Sequence, residues 1–133
     1  MKAYKIAVLP GDGIGPEVME EAIKVLGAIS KKYKISFQYN YAEVGGIAYD
    51  RHGTAMPAKT LKICENSDAI LFGSVGGPKW DGLPRDKSIE RVALLGLRKH
   101  FDFFANLRPA VLYKPLVKTS PLKDAIVKNG FDI

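Results

Sequence analysis

At 133 residues the chain is long enough for one domain burying roughly two thirds of its unfolded surface, and 47% apolar with 26% charged residues excludes the disordered and fibrous classes. Its 20 Lys and Arg against 14 Asp and Glu leave a formal charge of +6, which favours anionic partners without choosing among nucleic acid, membrane surface, nucleotides and carboxylate metabolites. One cysteine, Cys64, excludes an internal disulfide, and no apolar run approaches a signal segment or a membrane span, so a cytoplasmic location is expected.

In chain order, Ile6-Ala7-Val8-Leu9 is a continuous apolar run closed by Pro10-Gly11, the pattern of a strand buried on both faces in a parallel sheet. Pro16 suits a first helical position and Glu17 the positive helix start. With Val18, Ala22, Val25, Leu26 and Ile29 at helical spacing, they predict a helix over about 16–31. Lys31, Lys32 and Lys34 then read as the solvated end of that helix. No arginine-rich run interleaves with aromatics, so neither nucleic acid nor membrane is expected as a partner.

From Ile35 the sequence alternates, with Ile35, Phe37, Tyr39 and Tyr41 opposite Ser36, Gln38 and Asn40, which predicts a strand with one exposed face near a sheet edge. A loop holding Gly45, Gly46 and Gly53 leads to a short helix begun by Pro57, with Cys64 as a small core residue. Ala69-Ile70-Leu71-Phe72 is a second buried run, closed by Gly73. The succession of strands and helices predicts an α/β sheet with crossovers. After a loop from Ser74 to Lys87, Ser88 caps a helix to about His100, Phe103 to Val111 reads as extended, and Ser120-Pro121 opens a last helix that stops at Asn129-Gly130. Phe131-Asp132-Ile133 reads as the opening of a further buried strand, so the chain is expected to be a fragment of a longer protein.

Four motifs carry chemistry. Gly11-Asp12-Gly13-Ile14-Gly15-Pro16 joins a buried strand to a helix, where turn glycines and a phosphate cradle are both open readings; its spacing departs from G-x-G-x-x-G, and no Gly-Lys-Ser/Thr follows. Ser74 to Asp81 follows the other buried strand, at the end where open α/β sheets place ligands. There Gly76-Gly77 would admit a ligand to the backbone, while Trp80 either joins the site or anchors the loop. Glu90, Leu94 and Arg98 recur every four residues beside Leu95, as a functional row or as a helix-start acid, core leucines and a surface charge. Arg108, in Asn106-Leu107-Arg108-Pro109, supplies a second planar fork matched to a carboxylate.

Leu9 to Glu17, Gly73 to Asp81, Leu94 to Lys99 and Asn106 to Pro109, in that order, closely resemble the isocitrate/isopropylmalate dehydrogenase family, on its isopropylmalate branch. The resemblance implies an α/β, non-Rossmann fold of two domains, with residues 1–100 forming the N-terminal part of the first and 101–133 a truncated start of the second. It implies NAD-dependent oxidative decarboxylation of 3-isopropylmalate to 4-methyl-2-oxopentanoate in leucine biosynthesis, by a homodimer that uses Mg or Mn.

On that resemblance Gly77, Pro78, Lys79, Trp80, Asp81, Gly82, Leu83, Pro84, Arg85, Asp86, Lys87, Ser88, Ile89 and Glu90 would border NAD, with Glu90 near the nicotinamide. Arg98 and Arg108 would hold the substrate carboxylates, and Leu94 and Leu95 would cover its isopropyl group. The family's catalytic tyrosine and lysine, its third substrate arginine and its metal aspartates would all lie beyond Ile133, so no catalytic or metal residue is assigned here and the chain alone is expected to be inactive. The alternatives are a related dehydrogenase for homoisocitrate, tartrate or malate, against which the leucine pair argues, and a stand-alone basic nucleotide-binding module.

Overall fold

The computed structural model describes residues 3–133, which divide into two compact units, one ending at Asp102 and the other spanning Phe103–Ile133.

In the first unit three parallel strands form one sheet in the order β2-β1-β3: β1 is Ala3–Gly11, β2 Ser36–Tyr41 and β3 Ala69–Ser74. β1 is central, and its pleat explains its unbroken apolar sequence. Ile6 and Val8 face Met19 of α1 (Gly15–Tyr33) on one side. Ala7 and Leu9 face a larger core on the other, with Val44, Ala55, Cys64, Ile89, Ala93 and Leu97. Helices therefore cover both faces. α1 begins with Pro16 in its first turn and ends with Lys34 at φ 54°, so the basic cluster is the helix terminus expected from the sequence.

β2 is an edge strand, as its alternation predicts. β3 is different: its apolar residues read as central, yet it has β1 on one side and no strand on the other among the described residues, and its burial is only partial.

The glycine-rich stretch after β2 is not all loop. Gly46–His52 forms a helix, α2, before α3 (Ala58–Glu65). Gly45 and Gly46 hide that start from a propensity reading, because glycine disfavours helix and neither supplies a capping side chain. The cap comes instead from a distant residue described below.

The predicted helix over 88–100 is present from Ile89, but Arg91–Leu95 is a π-helical turn, with the Gly96 N–H bonded to the Arg91 carbonyl, followed by α4 (Gly96–His100). The spacing accounts for this turn. Ile89, Ala93 and Leu97 are all buried at strict four-residue steps, which in a regular α-helix drift by about 40° per step. A wider turn takes up the drift and keeps the row on the sheet.

In the second unit the expected extended segment over 103–111 reduces to a two-residue strand, β4 (Val111–Leu112), preceded by Ala110, which exchanges backbone hydrogen bonds with Ile133, because Pro109 has no N–H with which to continue the ladder. An unpredicted 3-10 helix spans Lys114–Thr119. The last helix is shorter than the sequence suggests: α5 is Asp124–Val127 and starts after Lys123 rather than at Ser120-Pro121. β5 (Phe131–Asp132) pairs antiparallel with β4, and Ile133 is 81% exposed rather than buried.

Candidate active site

The Gly11–Pro16 turn and the loop after β3 meet through one carboxylate. Asp12, 5% exposed, accepts from the Gly46 N–H at 2.6 Å and the Ile47 N–H at 2.8 Å, so it caps α2. Its Oδ2 also accepts from the Gly76 N–H at 2.8 Å, tying the loop after β3 to the turn after β1. The Gly11–Pro16 motif is thus a structural knot. Its one acidic side chain is buried and spent on amides of two other segments, which favours the turn reading of the motif.

A second tie holds the loop's far side. The Trp80 ring lies against Gly46 so closely that any β-carbon there would collide with it. Its Nε1 donates to Asp50 Oδ1 at 3.1 Å, and Lys79 Nζ donates to Asp50 Oδ2 at 2.5 Å while lying 5.4 Å from the indole centre. Trp80 therefore anchors the loop. The Lys79 ammonium and then the Trp80 N–H hold the Asp50 carboxyl below its ordinary value. A depressed carboxylate pKa means that this anchorage is intact above the usual carboxylate range and is lost as pH falls through the lowered pKa.

Between these ties lies a cavity of about 160 Å³ lined by Gly76, Gly77, Trp80, Asp81, Ser88, Ile89 and Glu90. Six of these seven belong to the stretch expected to border NAD. Gly76, at φ 95°, holds a backbone conformation that favours glycine, and it presents bare backbone to the cavity. The rest of the stretch lies elsewhere. Leu83 packs on the core, and Arg85–Lys87 is an exposed 3-10 turn.

Leu94 is half-buried and Leu95 is 48% exposed on the π-helical turn, so the reading that made both of them core is wrong. The same four-residue argument that aligns Ile89, Ala93 and Leu97 aligns Glu90, Leu94 and Arg98 one position on. Arg98, partly exposed, and Arg108, exposed in the other unit, have no ion-pair partner among the described residues. Helix α4 is joined to α3 by His100, whose Nε2 lies 2.9 Å from Glu65 Oε1.

Sequence reasoning missed Asp12 and Asp50 as the residues that fix the loop. Asp12 had a signal, an acid between two glycines directly after a buried strand. Asp50 had none, since its partners lie 29 and 30 residues away. No group of three His, Cys, Asp or Glu side chains suited to a metal ion occurs among the described residues. Nor is any helix among them long and apolar enough to cross a membrane.

A family model described as isocitrate/isopropylmalate dehydrogenase matches residues 5–133. The chain is 61% identical over its whole length to a 3-isopropylmalate dehydrogenase of Campylobacter jejuni and 63% identical over 99% of its length to one of Aliivibrio fischeri. It spans 37% and 36% of those two proteins. Among solved structures it is similar to an isocitrate dehydrogenase of Methylococcus capsulatus, at 29% identity and TM-score 0.67, over 84% of this chain and 30% of that one. It is also similar to a β-decarboxylating dehydrogenase of Thermococcus kodakarensis, at 35% identity and TM-score 0.60, over 74% and 27%. The family model matched from residue 5 to 133 and the two relatives agree: the chain belongs to the isocitrate/isopropylmalate dehydrogenase family and corresponds to the N-terminal portion of its relatives.

Proposed function

We propose that this chain forms the substrate-selecting side of the active site of an NAD-dependent 3-isopropylmalate dehydrogenase that serves leucine synthesis in the cytoplasm as a homodimer. The observation that carries the reading is the leucine pair: Leu94 and Leu95 stand partly exposed on a π-helical turn three to four residues before a partly exposed, unpaired arginine. An apolar surface beside a carboxylate-binding fork suits a branched dicarboxylate. A polar arm placed there would lose its water without compensation, at a cost of a few kcal/mol.

The residues fit part of a dinucleotide. The cavity at Gly76–Gly77 and Glu90 is too small for the whole of NAD but admits a flat ring or its linker against bare backbone, with Glu90 and Asp81 as acceptors for amide or hydroxyl groups. Bound NAD supplies the hydride acceptor. The role of this chain is to hold and orient: Arg98 and Arg108 grip carboxylates, the leucines exclude water from the isopropyl group, and the ties through Asp12 and Asp50 keep the loop rigid. On the family resemblance the divalent ion and the proton-transfer groups are assigned to parts of the enzyme outside these residues, and this chain alone should be inactive.

A chimera tests the assignment. Residues 1–133 replace the matched segment of the Campylobacter jejuni relative, and NADH formation is followed with 3-isopropylmalate and with malate analogues lacking the branch. Activity selective for the branched substrate is expected, with the selectivity eroded about tenfold or more by Leu94→Ser with Leu95→Ala. A folded chimera that oxidises all the analogues alike would overturn the substrate assignment.

A further inference from the structure

On the sheet face away from α1, a groove of about 520 Å³ runs between β2 and α3, lined by Lys5, Gln38, Asn40, Lys59, Lys62 and Asn66, with Tyr39, Tyr41 and Ile63 at its margins. Its floor follows from the pleat. Gln38 pairs with Lys5 and Asn40 with Ala7, so the polar side of the alternating strand lies on the same face as Lys5. Its wall follows from helical spacing: 59, 62, 63 and 66 are i, i+3, i+4 and i+7 along α3 and its end. None of the lining groups is a carboxylate. Of the nearest acids in sequence, Glu43 pairs with Arg51 and His52, Glu65 lies beside His100, and Asp68 accepts from the Lys5 backbone N–H at 2.7 Å. Among the described residues none of the three ammonium groups has an ion-pair partner, whereas the Asn66 amide spends one hydrogen on the Lys62 carbonyl.

From this arrangement we infer that the β2–α3 groove is an anion-binding site, separate from the cavity at Gly76–Glu90, that takes a ligand carrying two or more phosphate groups. Three ammonium groups with no ion-pair partner among the described residues, over a lining that holds no carboxylate, set up a positive potential over a concave surface, and the carboxamides add donors of fixed direction. The volume falls within roughly 300–1,000 Å³ for small-molecule sites and exceeds the need of a single phosphate, so the charges of the ligand are spread along the groove.

The probe is inorganic tripolyphosphate, titrated into the 133-residue chain at ionic strength held constant with sodium chloride and followed through backbone amide chemical shifts. Saturable shifts grouped at Lys5, Gln38, Asn40, Lys62 and Asn66 are expected. Lys59→Gln with Lys62→Gln should weaken binding about tenfold or more, as loss of two charge-assisted contacts requires. Lys31→Gln with Lys32→Gln, on the solvated end of α1, should leave it unchanged. Lys5→Gln, on β1, gives an independent check should the α3 variant alter folding. Shifts that never saturate, or equal weakening by both lysine pairs, would mean charge attraction without a site and would overturn the inference.

Discussion

Asp12 shows how much of a site's rigidity can rest on one buried carboxylate. It serves three backbone amides from two different segments, and each bond is charge-assisted in a place nearly closed to water. Asn at the same position keeps the shape but presents an NH2 where an N–H already points, so at least one amide loses its acceptor. Asp12→Asn should therefore destabilise the first unit by about 2–3 kcal/mol, read from denaturant midpoints, and should raise hydrogen exchange at Gly46, Ile47 and Gly76 selectively. Uniform acceleration across the sheet would show that Asp12 does not act locally. This role was half legible in the sequence. The position between glycines marked a special turn, but the partners of an aspartate 34, 35 and 64 residues away have no sequence signal.

Elements with strong periodicity were readable, and those defined by tertiary contacts were not. β1 and α1 follow from apolar runs and spacing, because the sequence there satisfies both of its packing partners at once. α2 escaped because its first turn is glycine and its cap is remote. The π-helical turn was visible only as an unusual four-residue spacing. That spacing also decides a stability contrast. Leu97, 3% exposed, belongs to the core, so Leu97→Ala should cost about 2–5 kcal/mol. Leu95, 48% exposed, should tolerate Leu95→Ser within about 0.5 kcal/mol when folding alone is measured. Thermal and urea denaturation of the two variants separate these outcomes. A large loss at Leu95 would return it to the core and remove its availability for ligand.

At the scale of the molecule, composition and element order were enough for the α/β class, and four motifs were enough for the family; the resemblance set a domain boundary between residues 100 and 101, and the structure divides into compact units after Asp102. We propose that the change near residue 102 is the passage from the first domain of the family fold into the second. Several features make it a point of weakness. Asp102 has φ 49°, a left-handed conformation that aspartate tolerates better than most residues. Beyond it Phe104 is fully exposed and Leu107 is 87% exposed, in a stretch without helix or strand until β4. Proteases cut where a segment can open locally, and a protease selective for aromatic side chains has its best substrate here, since the phenylalanines of the first unit lie in strands or against the core and its exposed Tyr33 and Tyr41 lie in α1 and β2. Brief chymotrypsin treatment should therefore cleave first at Phe103 or Phe104 and leave a resistant fragment that retains the three-stranded sheet, identified by intact mass and by circular dichroism. Initial cleavage inside α1 or at Phe72 would mean that the first unit is not the stable body.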